Sequence, residues 1–263
     1  MYNFDVERPS TIQDAVKAMG REEAQPLSGG QTLIPTLKAR LAAPSVLVSL
    51  TGIDEMKGVC LDDEGRVCIG GATTHATVAR EAEAHYPALA SLAARIGDPA
   101  VRNRGTIGGS IANNDPSACY PAGVLGSGAT IVTNNREIAA DDYFQGMFET
   151  ALEEGEIVTE VKFPVPTAAH YEKILQPASR FPLVAAYVAK FSDGVRVAIT
   201  GASNDGVFRW TEAEQALSSN FSADAVAGLS LDGSNMISDL HGTGAYRAHL
   251  CGVMTKRAVA AIS

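Results

Sequence analysis

Cysteine is scarce in this 263-residue chain: Cys60, Cys68, Cys119 and Cys251 are scattered, with no Cys-x-x-Cys among them. A private iron–sulfur or zinc centre needs four closely grouped ligands, so the spacing excludes one. The thiols are expected as small buried apolar residues rather than disulfide partners. Basic residues are also few, 21 Lys and Arg against 30 Asp and Glu, and the net charge of −9 argues against a nucleic-acid surface. No apolar run approaches the roughly 20 residues of a membrane span. The N-terminus lacks the basic start and apolar core of an export signal, so a cytoplasmic location is expected, either free or associated with the inner face of the membrane. No GxGxxG follows the first strand, which disfavours the dinucleotide fold of nicotinamide dehydrogenases. The five histidines are dispersed and none accompanies a serine in a nucleophile motif, so a hydrolytic triad is excluded.

What the chain does have is enough length to bury a sizeable core in one to two domains, and a composition ordinary for a soluble protein. Phe4-Asp5-Val6 reads as an opening strand. Ser10 is expected to cap a helix, with Gln13 as capping-box partner and Ile12, Ala15, Val16 and Met19 as its apolar stripe. Gln25 to Leu27, a helix to about Leu41, and the strand Val46 to Leu50 complete a β-α-β-α-β unit. Residues 57–69 alternate around the turn Asp62-Asp63-Glu64-Gly65 as a hairpin. Helices are expected from His75 to Ala84 and from Pro87 to Ile96, and strands from Ala129 to Thr133 and Glu156 to Phe163. Pro164-Val165-Pro166 can continue neither sheet nor helix and marks a domain boundary.

Beyond it, Tyr171 to Gln176, Leu183 to Phe191 and Val195 to Ala202 read as antiparallel strands or a strand–helix mixture, Thr211 to Leu217 and Ala223 to Leu229 as helices, and Gly233 to Gly244 as a loop. A last helix runs from Ala245 to Ile262, amphipathic through Tyr246, Leu250, Val253 and Val259. His75 invites a catalytic reading, but a lone histidine at a helix start more often caps or packs.

Two segments carry the functional signal. Leu27-Ser28-Gly29-Gly30-Gln31-Thr32-Leu33 is an apolar run broken by a glycine pair ahead of a helix. Asn103-Arg104-Gly105-Thr106-Ile107-Gly108-Gly109-Ser110-Ile111-Ala112 sets a second pair among β-branched and small polar residues. A glycine pair alone more often makes a plain turn. Two of them ahead of hydroxyl residues can hold the two ends of one pyrophosphate on main-chain N–H groups.

The pair of segments, with the lead-in Ile96-Gly97-Asp98 and Val101-Arg102-Asn103, resembles the FAD-binding medium subunits of the molybdenum hydroxylases, in particular the carbon monoxide dehydrogenase type. The resemblance runs from Phe4 to the Tyr246-Arg247 helix. It implies an α+β (mixed α/β) fold with a vanillyl-alcohol-oxidase-type FAD-binding domain over residues 1–166, in subdomains of about 1–55 and 56–166, and a C-terminal α+β domain over 167–263. It implies FAD held by Leu27, Ser28, Gly29, Gly30, Gln31, Thr32, Leu33, Thr106, Ile107, Gly108, Gly109, Ser110, Ala112, Asp115, Cys119 and Val158, without a catalytic side chain.

By the same resemblance, electrons come from two [2Fe-2S] clusters of a small subunit. Those clusters draw them from a molybdenum cofactor in a large subunit, and an external acceptor takes them from this chain. The assembly is a dimer of heterotrimers. Two positions depart from the pattern: Cys119 stands where the family has an aspartate, and Gln176-Pro177 where it often has a lysine, for which Lys173 or Arg180 could substitute. A free-standing FAD oxidase or dehydrogenase of the same fold and a flavin-free binding module are the competing readings.

Overall fold

The computed structural model describes residues 1–262. The chain begins with the expected unit: β1 (Asp5–Glu7), α1 (Ile12–Met19), β2 (Ala24–Leu27), α2 (Leu33–Lys38) and β3 (Val46–Ser49). Its strands pair in parallel in the order β1-β3-β2, as short crossovers through helices require. Helix α1 is capped by Thr11 rather than Ser10, because Asp14 completes the box. The Asp14 amide donates to the Thr11 hydroxyl at 3.1 Å, and that hydroxyl donates back to the carboxylate at 2.9 Å. Helix α2 stops at Lys38, short of Leu41. Arg40 turns left-handed (φ +60°), so the amides of Arg40 and Leu41 reach back to the carbonyls of Leu37 and Thr36.

Next come β4 (Val59–Leu61), β5 (Val67–Gly70), α3 (His75–Glu81), α4 (Pro87–Ala94), α5 (Pro99–Arg102), α6 (Ile107–Asn113) and α7 (Tyr120–Gly126). They are followed by β6 (Thr130–Thr133), β7 (Glu137–Ala139), α8 (Ala140–Tyr143), β8 (Phe144–Gly146), β9 (Glu149–Thr150) and β10 (Val158–Phe163). Five of these strands form an antiparallel sheet ordered β4-β5-β10-β6-β7, with β10 inserted between the hairpin β4–β5 and β6. Helix α7 has no counterpart in the sequence reading. All seven of its residues are buried, so it has no polar face for periodicity to detect.

After Pro166, β11 (Ala168–Leu175), β12 (Pro182–Lys190), β13 (Val195–Ser203) and β14 (Gly206–Arg209) make an antiparallel meander. The chain then ends in α9 (Thr211–Ser219) and α10 (Gly244–Ala260). Strand β12 is buried on both faces, and alternate side chains divide two cores. Ala185, Tyr187 and Ala189 join the core shared with α4, α7 and the five-stranded sheet, while Val184, Ala186 and Val188 pack under α9 and α10. Of Ala223 to Leu229 only Ala223–Val226 is helical, as a 3₁₀ turn. Tyr246 is exposed on α10, and the buried stripe instead runs through Arg247, Leu250, Cys251, Met254, Ala258 and Val259.

Candidate functional site

The first glycine pair lies where β2 has ended and α2 has not yet begun. Gly30 sits at φ +70°, a conformation open to a residue without Cβ, and turns the chain. Among the described residues, the N–H groups of Gly29, Gly30, Gln31 and Thr32 find no backbone acceptor, and Thr32 at the start of α2 makes no side-chain cap. Four adjacent donors and a hydroxyl are thus open to solvent or a ligand, an arrangement suited to an anion.

The second pair behaves differently. Gly108 and Gly109 do not form a turn but occupy the first turn of α6, capped by Thr106, whose hydroxyl accepts from the Gly109 amide at 3.2 Å. The amides of Ile107, Gly108 and Ser110 go to the carbonyls of Thr73, Gly71 and Thr106. Sequence reasoning expects free main-chain donors from both segments. In the structure the amides from Ile107 to Ser110 are spent within the fold, and what these residues offer is close approach. A Cβ on Gly108 would stand 2.6 Å from the Gly71 carbonyl oxygen, so that glycine lets α6 lie directly on the backbone that follows β5.

The two segments meet. A Cβ on Gly29 would fall 2.1 Å from the Arg104 carbonyl oxygen, and the hydroxyls of Ser28 and Thr106 are 2.7 Å apart. Between and beyond them opens a cleft of about 990 Å³, near the upper end of the usual range for small-molecule sites. Leu27 to Leu33, Thr106, Gly108, Gly109, Ser110, Ala112, Asp115, Cys119 and Val158 all line it. Ile107 does not; it is fully buried in the core beneath α6. Asp115 has one carboxylate oxygen tied to the Ser117 amide at 2.8 Å.

Sequence reasoning did not place Leu50, Gly71, Glu156, Ile157, Ser179 or Phe181 at the cleft, because long-range packing alone brings them there; Arg180, weighed as a stand-in for the family lysine, lines it too. Ser179 and Arg180 are both left-handed, at φ +60° and +57°, and reverse the chain inside the closing bond from the Gln176 amide to the Phe181 carbonyl at 3.0 Å. Glu156 presents a buried carboxylate held below its ordinary range, chiefly by the Arg136 hydrogen bond at 2.9 Å.

His75 also lines the cleft. It is 5% exposed, its ring centroid lies 5.3 Å from that of Tyr120, and its Nδ1 finds no partner among the described residues. Burial, aided by the nearby Arg102, pushes its pKa down to about 4, so the ring is neutral at pH 7. A base whose pKa is lower folded than unfolded stabilises the fold at neutral pH and withdraws that stability as the unfolded chain takes up protons. Stability is therefore expected to fall between about pH 6.5 and 4 by up to roughly 3 kcal/mol. Urea titrations across that range should lose most of this slope in His75→Asn. An unchanged slope would show that another group sets the acid limit.

A family model described as the FAD binding domain in molybdopterin dehydrogenase matches residues 2–166. The chain belongs to this family. It is 35% identical to the carbon monoxide dehydrogenase medium chain of Afipia carboxidovorans, over 98% of this chain and 96% of that one. It is 31% identical to the nicotine 6-hydroxylase medium subunit of Paenarthrobacter nicotinovorans, over 95% and 94%. Among solved structures it superposes on a chain of the Cu,Mo-CO dehydrogenase with TM-score 0.89 at 33% identity, covering 99% of this chain and 98% of that one.

The chain is thus an FAD-binding subunit of a molybdenum hydroxylase-type oxidoreductase, with the mixed helix-and-sheet fold expected of it. The cleft fits the cofactor: donors without acceptors face it, glycines permit backbone approach, and no basic cluster is needed to receive a diphosphate. No helix among the described residues is long and apolar enough to cross a membrane.

Proposed function

We propose that the cleft holds FAD with its diphosphate on the amides of Gly29 to Thr32. In this reading the subunit passes electrons from two [2Fe-2S] clusters of a small partner subunit, fed by a molybdenum cofactor in a large one, to an external acceptor. The observation that carries the reading is the row of four adjacent N–H groups without protein acceptors, on residues that line a cleft large enough for an extended dinucleotide. Bound FAD supplies the redox chemistry, and the chain supplies position and exclusion of water. Thr32 and Ser110 add hydroxyls beside the diphosphate. Val158, buried on β10, packs against the cofactor, and Asp115 and Cys119 stand further along the wall.

Residues 1–166 form the cofactor domain and the segment from 167 a C-terminal domain that closes the cleft with its hairpin tip. The subunit works in the cytoplasm within a dimer of heterotrimers. Co-expression with its native partners should yield a yellow complex, absorbing near the flavin band and carrying iron and molybdenum. Substrate turnover by the isolated yellow chain would replace this reading with a free-standing oxidase. A folded, colourless chain that rejects added FAD would replace it with a flavin-free module.

A further inference from the structure

Cys119 lines the cleft and is paired with Lys173, which is buried and does not line it. Lys173 on β11 is 3% exposed, and its Nζ donates to the carbonyl oxygens of Arg95 at 2.7 Å and Arg180 at 2.9 Å. Its remaining direction is taken by the Cys119 sulfur at 3.6 Å. The adjacent acid, Glu172, is turned instead to Arg95 and His170. With no carboxylate turned to it, the ammonium has the Cys119 sulfur as its side-chain partner among the described residues.

A lysine ammonium within hydrogen-bond reach is the setting that favours attack by a sulfur, and the same ammonium can deliver a proton to the group that the sulfur displaces. The Tyr171 hydroxyl, fully buried and without a hydrogen-bond partner of ordinary geometry, interacts with the same sulfur. No other thiol has this environment. Burial pushes Cys68 and Cys251 up to about 12, and Cys60 is exposed.

We propose that Cys119 is a modification site of the cleft that reacts with hydrogen peroxide, with Lys173 as its proton carrier. The sulfur attacks one peroxide oxygen, an S–O bond forms and the O–O bond breaks. The departing hydroxide takes the proton from the Lys173 ammonium and leaves as water. The proton that sulfur gives up returns to the Lys173 amine; sulfur loses two electrons, peroxide gains them, and the products are a sulfenic acid and water. Peroxide is small and uncharged, as access to a residue only 5% exposed requires. The added oxygen has no room in the packed wall, so it projects toward the cleft and weakens cofactor binding, a consequence that rests on the placement of FAD above.

The test treats the purified full-length chain, stripped of flavin, with hydrogen peroxide and traps sulfenic acid with dimedone, mapping each cysteine by peptide mass spectrometry. Cys119 should be tagged while Cys68 and Cys251 are not. Lys173→Met should slow tagging at Cys119 roughly tenfold and leave Cys60 unchanged. Should that variant fail to fold, the comparison of Cys119 with Cys251 inside the wild-type chain decides alone.

Tagging confined to Cys60, or no faster at Cys119 than at Cys251, overturns the proposal. So does a folded Lys173→Met variant that is tagged at the wild-type rate. Preloading with FAD should slow Cys119 tagging roughly tenfold. Tagging that bound FAD does not slow overturns the placement of the thiol beside the cofactor while its chemistry stands. Retained flavin with no Cys119 reaction in the stripped chain overturns the thiol chemistry while the FAD reading stands.

Discussion

Gly29→Val is expected to give a folded protein that comes off the column colourless. The first carbon of the new side chain would stand 2.1 Å from the Arg104 carbonyl oxygen and 2.7 Å from Gly105 Cα, both backbone atoms that cannot swing aside. The two segments must therefore part, which breaks the 2.7 Å contact between the Ser28 and Thr106 hydroxyls and turns the four free amides away from their shared target. Overpacking of this kind costs about 1–3 kcal/mol. Spent at the binding site, that energy lowers FAD affinity roughly ten- to hundredfold. The ratio of absorbance at the flavin band to protein absorbance, followed by titration with added FAD, measures it directly.

The neighbouring glycines make a graded series. Gly108→Val should lose flavin too, but with a clear drop in melting temperature, because its Cβ meets the Gly71 carbonyl at 2.6 Å and lifts α6 from the sheet. Gly109→Ala should be mild, since its nearest neighbours are the Thr106 hydroxyl at 3.0 Å and Ser28 Cβ at 3.6 Å. Full flavin content in a folded Gly29→Val would remove the first segment from the cofactor site.

Arg247→Met is expected to lower the melting temperature by roughly 10 °C, the loss of about 3–5 kcal/mol that follows when one partner of a buried charged network is removed. Arg247 is 2% exposed on α10 and donates to the carbonyls of Leu183 at 2.8 Å and Gly201 at 2.7 Å, and to both oxygens of Asp239 at 2.9 Å. Methionine keeps much of the volume, so the cost is mainly electrostatic. Two carbonyls are left without donors where the left-handed Gly201 bends β13 against β12, and the 239–242 turn loses its anchor. Calorimetry settles it. A shift of only a degree or two would mean that water reaches those carbonyls and that the network contributes little.

Much of this architecture can be read from neighbouring residues. The β-α-β-α-β opening, the hairpin around Asp62 to Gly65 and the Pro-x-Pro break before β11 rest on periodicity and turn chemistry acting over a few positions. Both glycine pairs were visible as places where backbone must approach something closely. What each glycine approaches was not. Gly108 serves the Gly71 carbonyl and Gly29 the Arg104 carbonyl, partners that only chain folding brings near. The capping signature of Thr106 ahead of Gly109 was available to mark a helix start, and the glycine pair masked it.

Local residues thus determined the order of most helices and strands and marked two glycine pairs as points of close backbone approach. The tertiary structure decided which amides of those segments are left without an acceptor. It also decided that β10 divides two hairpin strands, that a wholly buried α7 fills the core, and that Lys173 comes to rest against Cys119. The physical reason is the same in each case: propensity and capping act within a turn or two of the chain. The fate of a buried donor or charge depends on which distant group packing delivers to it.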